Sequence, residues 1–169
     1  QTIVCFFREA TERSAAQLVH ERMFAMSVDM LGIVNFDGEF THLNPAWETV
    51  LGYSLSELLH KQFISFVHPD DVERTIADYT SSTTTNNIRT FENRFLHKDG
   101  SSVWISWHYI SYPQMKQIYF VARDITQERT NQILLQESKD QLQAILDSSG
   151  AIIGLKDLID NRYILVNQE

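Results

Sequence analysis

Catalytic and metal chemistry needs particular side chains held close together, and this chain of 169 residues offers few such groupings. Its six histidines, His20, His42, His60, His68, His97 and His108, are scattered, and its single cysteine, Cys5, stands apart from them. Zinc sites take three or four such ligands at short, paired spacings, and no such spacing is present. Asp70 and Asp71 are adjacent carboxylates that could serve acid chemistry. They follow Pro69, however, and acids beside a proline in the first turn of a helix ordinarily serve the positive end of its dipole. His68 reads as a group serving the same helix start. His42 and His108 fall in strand-like stretches and read as surface or hydrogen-bonded residues. The chain has no phosphate-binding glycine loop and no nucleophilic serine flanked by glycines. It reads as a non-enzyme.

The remaining chemical feature is aromatic. Phe91, Phe95, Trp104, Trp107, Tyr109, Tyr119 and Phe120 crowd the strand-like stretches of the second half. An aromatic sheet can line a pocket for a small molecule, and Phe91, Phe95, Trp107, Tyr109 and Phe120 are the candidate lining. The simpler reading is a filled core, since an empty pocket forfeits dispersion contacts. The sequence implies no cofactor, no metal and no particular ligand.

The elements that would position these rings follow in order. Ile33 to Phe36, the Asp37-Gly38 pair and Phe40 to Leu43 predict a hairpin, because an Asp-Gly turn tolerates positive φ. Pro45 opens a short helix through Trp47, Val50 and Leu51, closed by Gly52. Ser54 and Glu57 form a capping box for a second short helix. Pro69 to about Tyr79 predicts a third, and the Ser, Thr and Asn run from Thr80 to Asn87 a loop. From Ile88, alternation sets Phe91, Asn93 and Phe95 on one face. Beyond the Lys98 to Ser101 turn, Val103, Ile105, Trp107 and Tyr109 alternate with Trp104, Ser106 and His108. Pro113 to Lys116 turns the chain into a last strand, Ile118 to Ala122.

Two long helical stretches flank this unit. Val19, Met23, Met26 and Met30 recur at spacings that place them on one stripe of a helix over 10–30. Gln127 to Leu146 lacks Gly and Pro, and Leu135, Ser138, Leu142 and Ile145 have coiled-coil spacing. Both stripes need a partner surface. Val19, Met23, Met26, Leu135, Leu142 and Ile145 are therefore the candidate dimer contacts.

Composition narrows the partners. The formal charge is −8 with no basic run, so nucleic acid and anionic membrane surfaces would be repelled. One cysteine suits a reducing, cytoplasmic setting. No apolar stretch approaches the roughly 20 residues that span a bilayer, although the parent protein can be anchored through other segments.

The chain also repeats itself. Ile3-Val4-Cys5-Phe6-Phe7-Arg8-Glu9-Ala10-Thr11 matches Ile118-Tyr119-Phe120-Val121-Ala122-Arg123-Asp124-Ile125-Thr126, and the stretch from Gly32 to Asn44 matches that from Gly154 to Asn167. A period of about 115 residues fits an array of whole domains rather than a solenoid. The expected division is a last strand of a preceding domain (1–9), a linker helix (10–30), a complete domain (31–129), an exit helix (130–148) and the first strands of a following domain (149–169). Ile3–Phe7 is expected to pair with some strand rather than stand alone, because unpaired edges seek partners.

Two strands, a run of short helices, three strands and a long exit helix resemble the PAS sensory domain. The resemblance rests on Asn44-Pro45-Ala46-Trp47, Leu51-Gly52-Tyr53-Ser54-Leu55-Ser56-Glu57-Leu58, His68-Pro69-Asp70-Asp71, Lys98-Asp99-Gly100-Ser101 and Arg123-Asp124-Ile125-Thr126, in the family's order. It implies an α+β fold, a five-stranded antiparallel sheet with short helices on one face, flanked by signalling helices. It also implies signal coupling through Arg123, Asp124 and Thr126 at the junction of sheet and exit helix. There Asp124 either bonds the junction or simply caps the helix.

The family's flavin photoreceptors carry an Asn-Cys-Arg stretch where this chain has Phe63-Ile64-Ser65-Phe66-Val67, and its haem binders place a histidine on the helix that here runs from Asp70 to Tyr79 without one. Neither cofactor is implied. Tandem arrays of this kind resemble the sensory part of bacterial sensor histidine kinases, and less often of diguanylate cyclases. The implied role is a cytoplasmic relay in a homodimer, passing signals between neighbouring PAS domains and an output domain of the same chain. The alternative is a dimerisation spacer without a ligand.

Overall fold

The computed structural model describes residues 17–83, 87–148, 154–156 and 163–166. Within the first compact unit, which extends to Thr126, helix α1 (17–26) precedes β1 (Met30–Asn35) and β2 (Phe40–Leu43). Short helices α2 (Ala46–Leu51) and α3 (Leu55–Leu58) follow, then 3₁₀ turns at Phe63–Phe66 and Pro69–Asp71, and α4 (Val72–Ser82). Strands β3 (Ile88–Leu96), β4 (Ser102–Tyr112) and β5 (Gln117–Asp124) complete one antiparallel sheet in the order β2-β1-β5-β4-β3.

Local chemistry places the early elements where the sequence predicts them. Asn35 Oδ1 accepts from the amides of Asp37 and Glu39, and Gly38 turns the hairpin at φ +84°. Ser54 and Glu57 form the capping box of α3. Gly52 ends α2 at φ +74°, in the left-handed region that favours glycine. The inner sheet face carries Met30, Val34, Ile105, Trp107, Ile118 and Phe120, and packs on Trp47, Leu51 and Leu58 from the short helices. Trp47 is fully buried, and its indole N–H donates to the Leu31 carbonyl at 3.1 Å.

Three boundaries differ from those the sequence suggests. The first helix ends at Met26, and Met30 opens β1 in the core instead of extending the Val19, Met23, Met26 stripe. Buried Asn44 is the cause. Its amide donates to the carbonyls of Ser27 and Asp29 while its oxygen accepts from Leu31, which holds the chain extended there. Second, Thr80, Ser81 and Ser82 belong to α4 rather than to a loop. Their hydroxyls donate to the carbonyls of Ile76, Asp78 and Tyr79, so these residues satisfy themselves within the helix. Third, Pro69–Asp71 forms a separate 3₁₀ turn, and α4 starts only at Val72.

The second unit begins at Gln127. It holds most of α5 (Thr126–Ser148), braced by Gln-to-acid or Gln-to-Asn side-chain bonds at Gln127–Asn131, Gln136–Asp140 and Gln143–Asp147. It also holds an antiparallel hairpin, β6 (Gly154–Lys156) and β7 (Tyr163–Val166). Here Gly154 faces Val166, Leu155 faces Leu165, and the register shifts before Lys156 meets Tyr163. In the first hairpin Gly32 faces Leu43, Ile33 faces His42, and the register shifts before Val34 meets Phe40. The sequence repeat is thus also a repeat of pairing and irregularity. The predicted pairing of Ile3–Phe7 lies outside the described residues.

Candidate functional site

A cavity of about 60 Å³ lies between the inner sheet face and α4. Phe91, Phe95, Trp107, Tyr109 and Phe120, the five candidates from the sequence, all line it. Strand alternation accounts for this, since each stands on the inward phase of its strand. The other two rings of the crowd face outward: Trp104 lies under Arg94, and Tyr119 meets Tyr112 edge-on at 5.2 Å. The filled core expected from the sequence is therefore incomplete. Its rings meet at tilted or edge-on angles, as Trp107 does with Phe95 and Phe120, and packing of this kind encloses space towards α4.

Sequence reasoning did not anticipate the rest of the lining, Val34, Phe40, Phe63 and Ile118 together with Thr75, Asp78, Tyr79 and Asn93. A signal was available in part. Thr75, Asp78 and Tyr79 stand three and four apart on one face of α4.

Every polar side chain of the lining has a partner. Trp107 Nε1 donates to Asn93 Oδ1 at 2.7 Å, Asn93 Nδ2 to Thr75 Oγ1 at 3.0 Å, and Thr75 Oγ1 to the Asp71 carbonyl at 2.6 Å. Tyr109 donates its hydroxyl proton to Asp78, which also meets Arg89 at 3.2 Å. Burial, with Asp78 as acceptor, pushes the Tyr109 hydroxyl well above the usual phenol range. Tyr79 donates to the Asn35 carbonyl, and burial raises it to about 12. Both phenols stay protonated at neutral pH.

The acid pair at the start of α4 is structural. Asp71, nearly buried, accepts from the Arg94 backbone N–H at 2.8 Å, from Arg94 Nε at 3.1 Å and Nη2 at 2.9 Å, and pairs with Arg74 at 3.1 Å. The Arg94 guanidinium holds its carboxyl far below the ordinary carboxylate range. Asp71 therefore ties the start of α4 to β3, where the sequence suggested a dipole partner only. His68 serves the 3₁₀ turn as expected, its Nδ1 accepting from the Asp70 amide at 3.3 Å.

The coupling candidates gather at the end of β5. Arg123 forms a two-pronged ion pair with Asp29, just before β1, at 3.0 and 2.9 Å. Arg123 in turn lowers the Asp29 carboxyl. Asp124 Oδ1 accepts from the Thr126 amide at 2.8 Å, so its bond falls on the helix side, in cap fashion. Thr126 makes the cross-strand link: its hydroxyl accepts from the Trp104 amide at 2.9 Å, while the Ile125 amide donates to the Trp104 carbonyl at 2.9 Å. Both backbone groups of Trp104 are thus held by the segment that becomes α5.

The dimer candidates Val19, Met23, Met26, Leu135, Leu142 and Ile145 are all exposed. Among the described residues no cluster of His, Cys, Asp or Glu could hold a metal ion. No described helix is long and apolar enough to cross a membrane.

Residues 40–122 match the family model described as PAS fold. Among solved structures, the PAS domain of an HTR-like protein from Haloarcula marismortui is 25% identical with a TM-score of 0.58, covering 70% of this chain and 97% of its own. A PAS domain from Colwellia psychrerythraea is also 25% identical, with a TM-score of 0.61 and coverage of 66% and 98%. A domain of a sensory box sensor histidine kinase/response regulator from Geobacter sulfurreducens shares the fold at 18% identity, with a TM-score of 0.57 and coverage of 64% and 94%. No curated protein sequence matches the chain. Sheet order, helix placement, the inward aromatic face and these likenesses agree: the segment from Met30 to Asp124 has the PAS fold.

Proposed function

We propose that this domain is the sensory and relay module of a multidomain signalling protein, a sensor histidine kinase by its tandem organisation, acting as a cytoplasmic homodimer. The carrying observation is that β4 bears Trp107 and Tyr109 on the cavity and Trp104 at the junction with α5. A change in how the cavity is filled moves the strand that Thr126 and Ile125 grip, and biases two packings of α5 against its partner copy. The exposed stripes on α1 and α5 support the dimer. The hairpin β6–β7, with its repeated register, supports a further domain downstream.

Disulfide cross-linking tests the relay. In a Cys5→Ser background, Leu135→Cys and Leu142→Cys should each cross-link between copies more than Gln136→Cys does. Adding Thr126→Val, which removes the bond to Trp104, should change the ratio of the two yields at least about two-fold. Equal yields at all three positions, or an unchanged ratio, would overturn the reading.

A further inference from the structure

Resting on that sensory reading, we infer that the cavity takes a small, uncharged, mainly apolar molecule of about four to six non-hydrogen atoms bearing a single hydrogen-bonding oxygen, such as a short alcohol or ketone.

Size sets the first limit. One water needs roughly 10–15 Å³ by the measure in which the cavity holds about 60 Å³. The space therefore suits a few heavy atoms.

Charge sets the second. The one charged lining group, Asp78, is already engaged by Tyr109 and Arg89. A ligand carboxylate would meet no available cation in the lining, and a ligand ammonium would have to displace Arg89. An unpaired charge in such a place is costly, so ionised molecules are rejected.

Polarity sets the third. Thr75 both donates and accepts within the chain from Trp107 to the Asp71 carbonyl, and Tyr79 donates to Asn35. Asn93, almost fully buried, donates one of its two amide hydrogens to Thr75. The other can meet one acceptor in the cavity. An accepting ligand oxygen is therefore satisfied there, and an alcohol's own hydrogen has the Tyr109 phenol oxygen, which lines the same cavity; further polar groups would lie against Phe91, Phe95, Ile118 and Phe120.

The test compares three probes of equal length. The full chain, with its backbone and indole N–H groups followed by NMR, is titrated with 1-butanol, butyrate and butylammonium. Butanol should shift the Trp107 indole and Asn93 side-chain signals saturably in the millimolar range. Butyrate and butylammonium should bind at least about ten-fold more weakly. Ile118→Trp, which fills the cavity, should abolish the saturable shift, and Val34→Phe does the same from β1 if the first variant folds poorly. Comparable binding of either ion overturns the ligand class while leaving the cross-linking result intact. So does a butanol response that never saturates or that survives in a folded, filled variant. A failed cross-linking experiment beside saturable butanol binding would instead remove the relay and keep the site.

Discussion

At the scale of single residues, close contacts decide more than composition does. An added Cβ at Gly32 would lie 2.5 Å from the Phe120 ring and 2.7 Å from the His42 carbonyl oxygen. A ring and a paired backbone cannot both retreat, so Gly32→Ala should cost roughly 1–3 kcal/mol of stability, read as a lower urea midpoint. Asp71 gives a second residue-scale prediction. Its folded carboxyl lies below the ordinary value of about 3.9, so its stabilisation is complete above that pH and is lost as pH falls below it towards the folded value. Asp71→Asn should lower the thermal midpoint at pH 7, because it weakens the bonds from Arg94 and Arg74 while Arg94 keeps only Asp70. It should also show a shallower fall in thermal midpoint between pH 4 and 2. Some of the fall persists, because Glu57 beside Lys98 and Asp99 beside Ser101 are each lowered to about 2. Strand phase made the five inward rings legible in the sequence. The partners of Asn44 and Asp71 were not legible, because hydrogen bonds over 13 to 23 positions leave no local pattern.

At the scale of elements, turns and caps were readable wherever the deciding interaction is short-range. The Asp37-Gly38 turn, the Ser54 to Glu57 box and the strands β3 to β5 follow from neighbours in sequence. The end of α1 and the length of α4 depended on a distant asparagine and on hydroxyls that turn back on their own helix, so pattern and propensity misplaced them. The exit helix carries two expectations. Replacing Leu142 and Ile145 together by Asp should shift sedimentation towards monomer at micromolar concentration, because a carboxylate is costly in a helix seam. Both positions are exposed in the single chain, so its fold should survive. Asp124→Ala removes the bond to the Thr126 amide and should cost about 1 kcal/mol, as loss of a helix cap does. If the link from Thr126 to Trp104 carries the signal, this variant should retain the wild-type ratio of cross-links at positions 135 and 142. A changed ratio would give Asp124 a direct part in coupling.

At the scale of the whole molecule, the order β2-β1-β5-β4-β3 sets when the protein can become a protein at all. The ladders divide into a first hairpin, β1 with β2, and a second, β3 with β4, and only β5 pairs with both. On the ribosome the chain leaves N-terminus first, so β1 with β2, and then β3 with β4, are made before the one strand that pairs with both. Cavity walls, junction and core wait for Gln117 to Asp124. A ribosome arrested before Gln117 emerges should display a nascent chain that protease digests readily. One arrested once Thr126 has cleared the exit tunnel should display a resistant core. The strand that completes the fold is also the one that runs into α5, so the exit helix is delivered only as the domain that would control it closes.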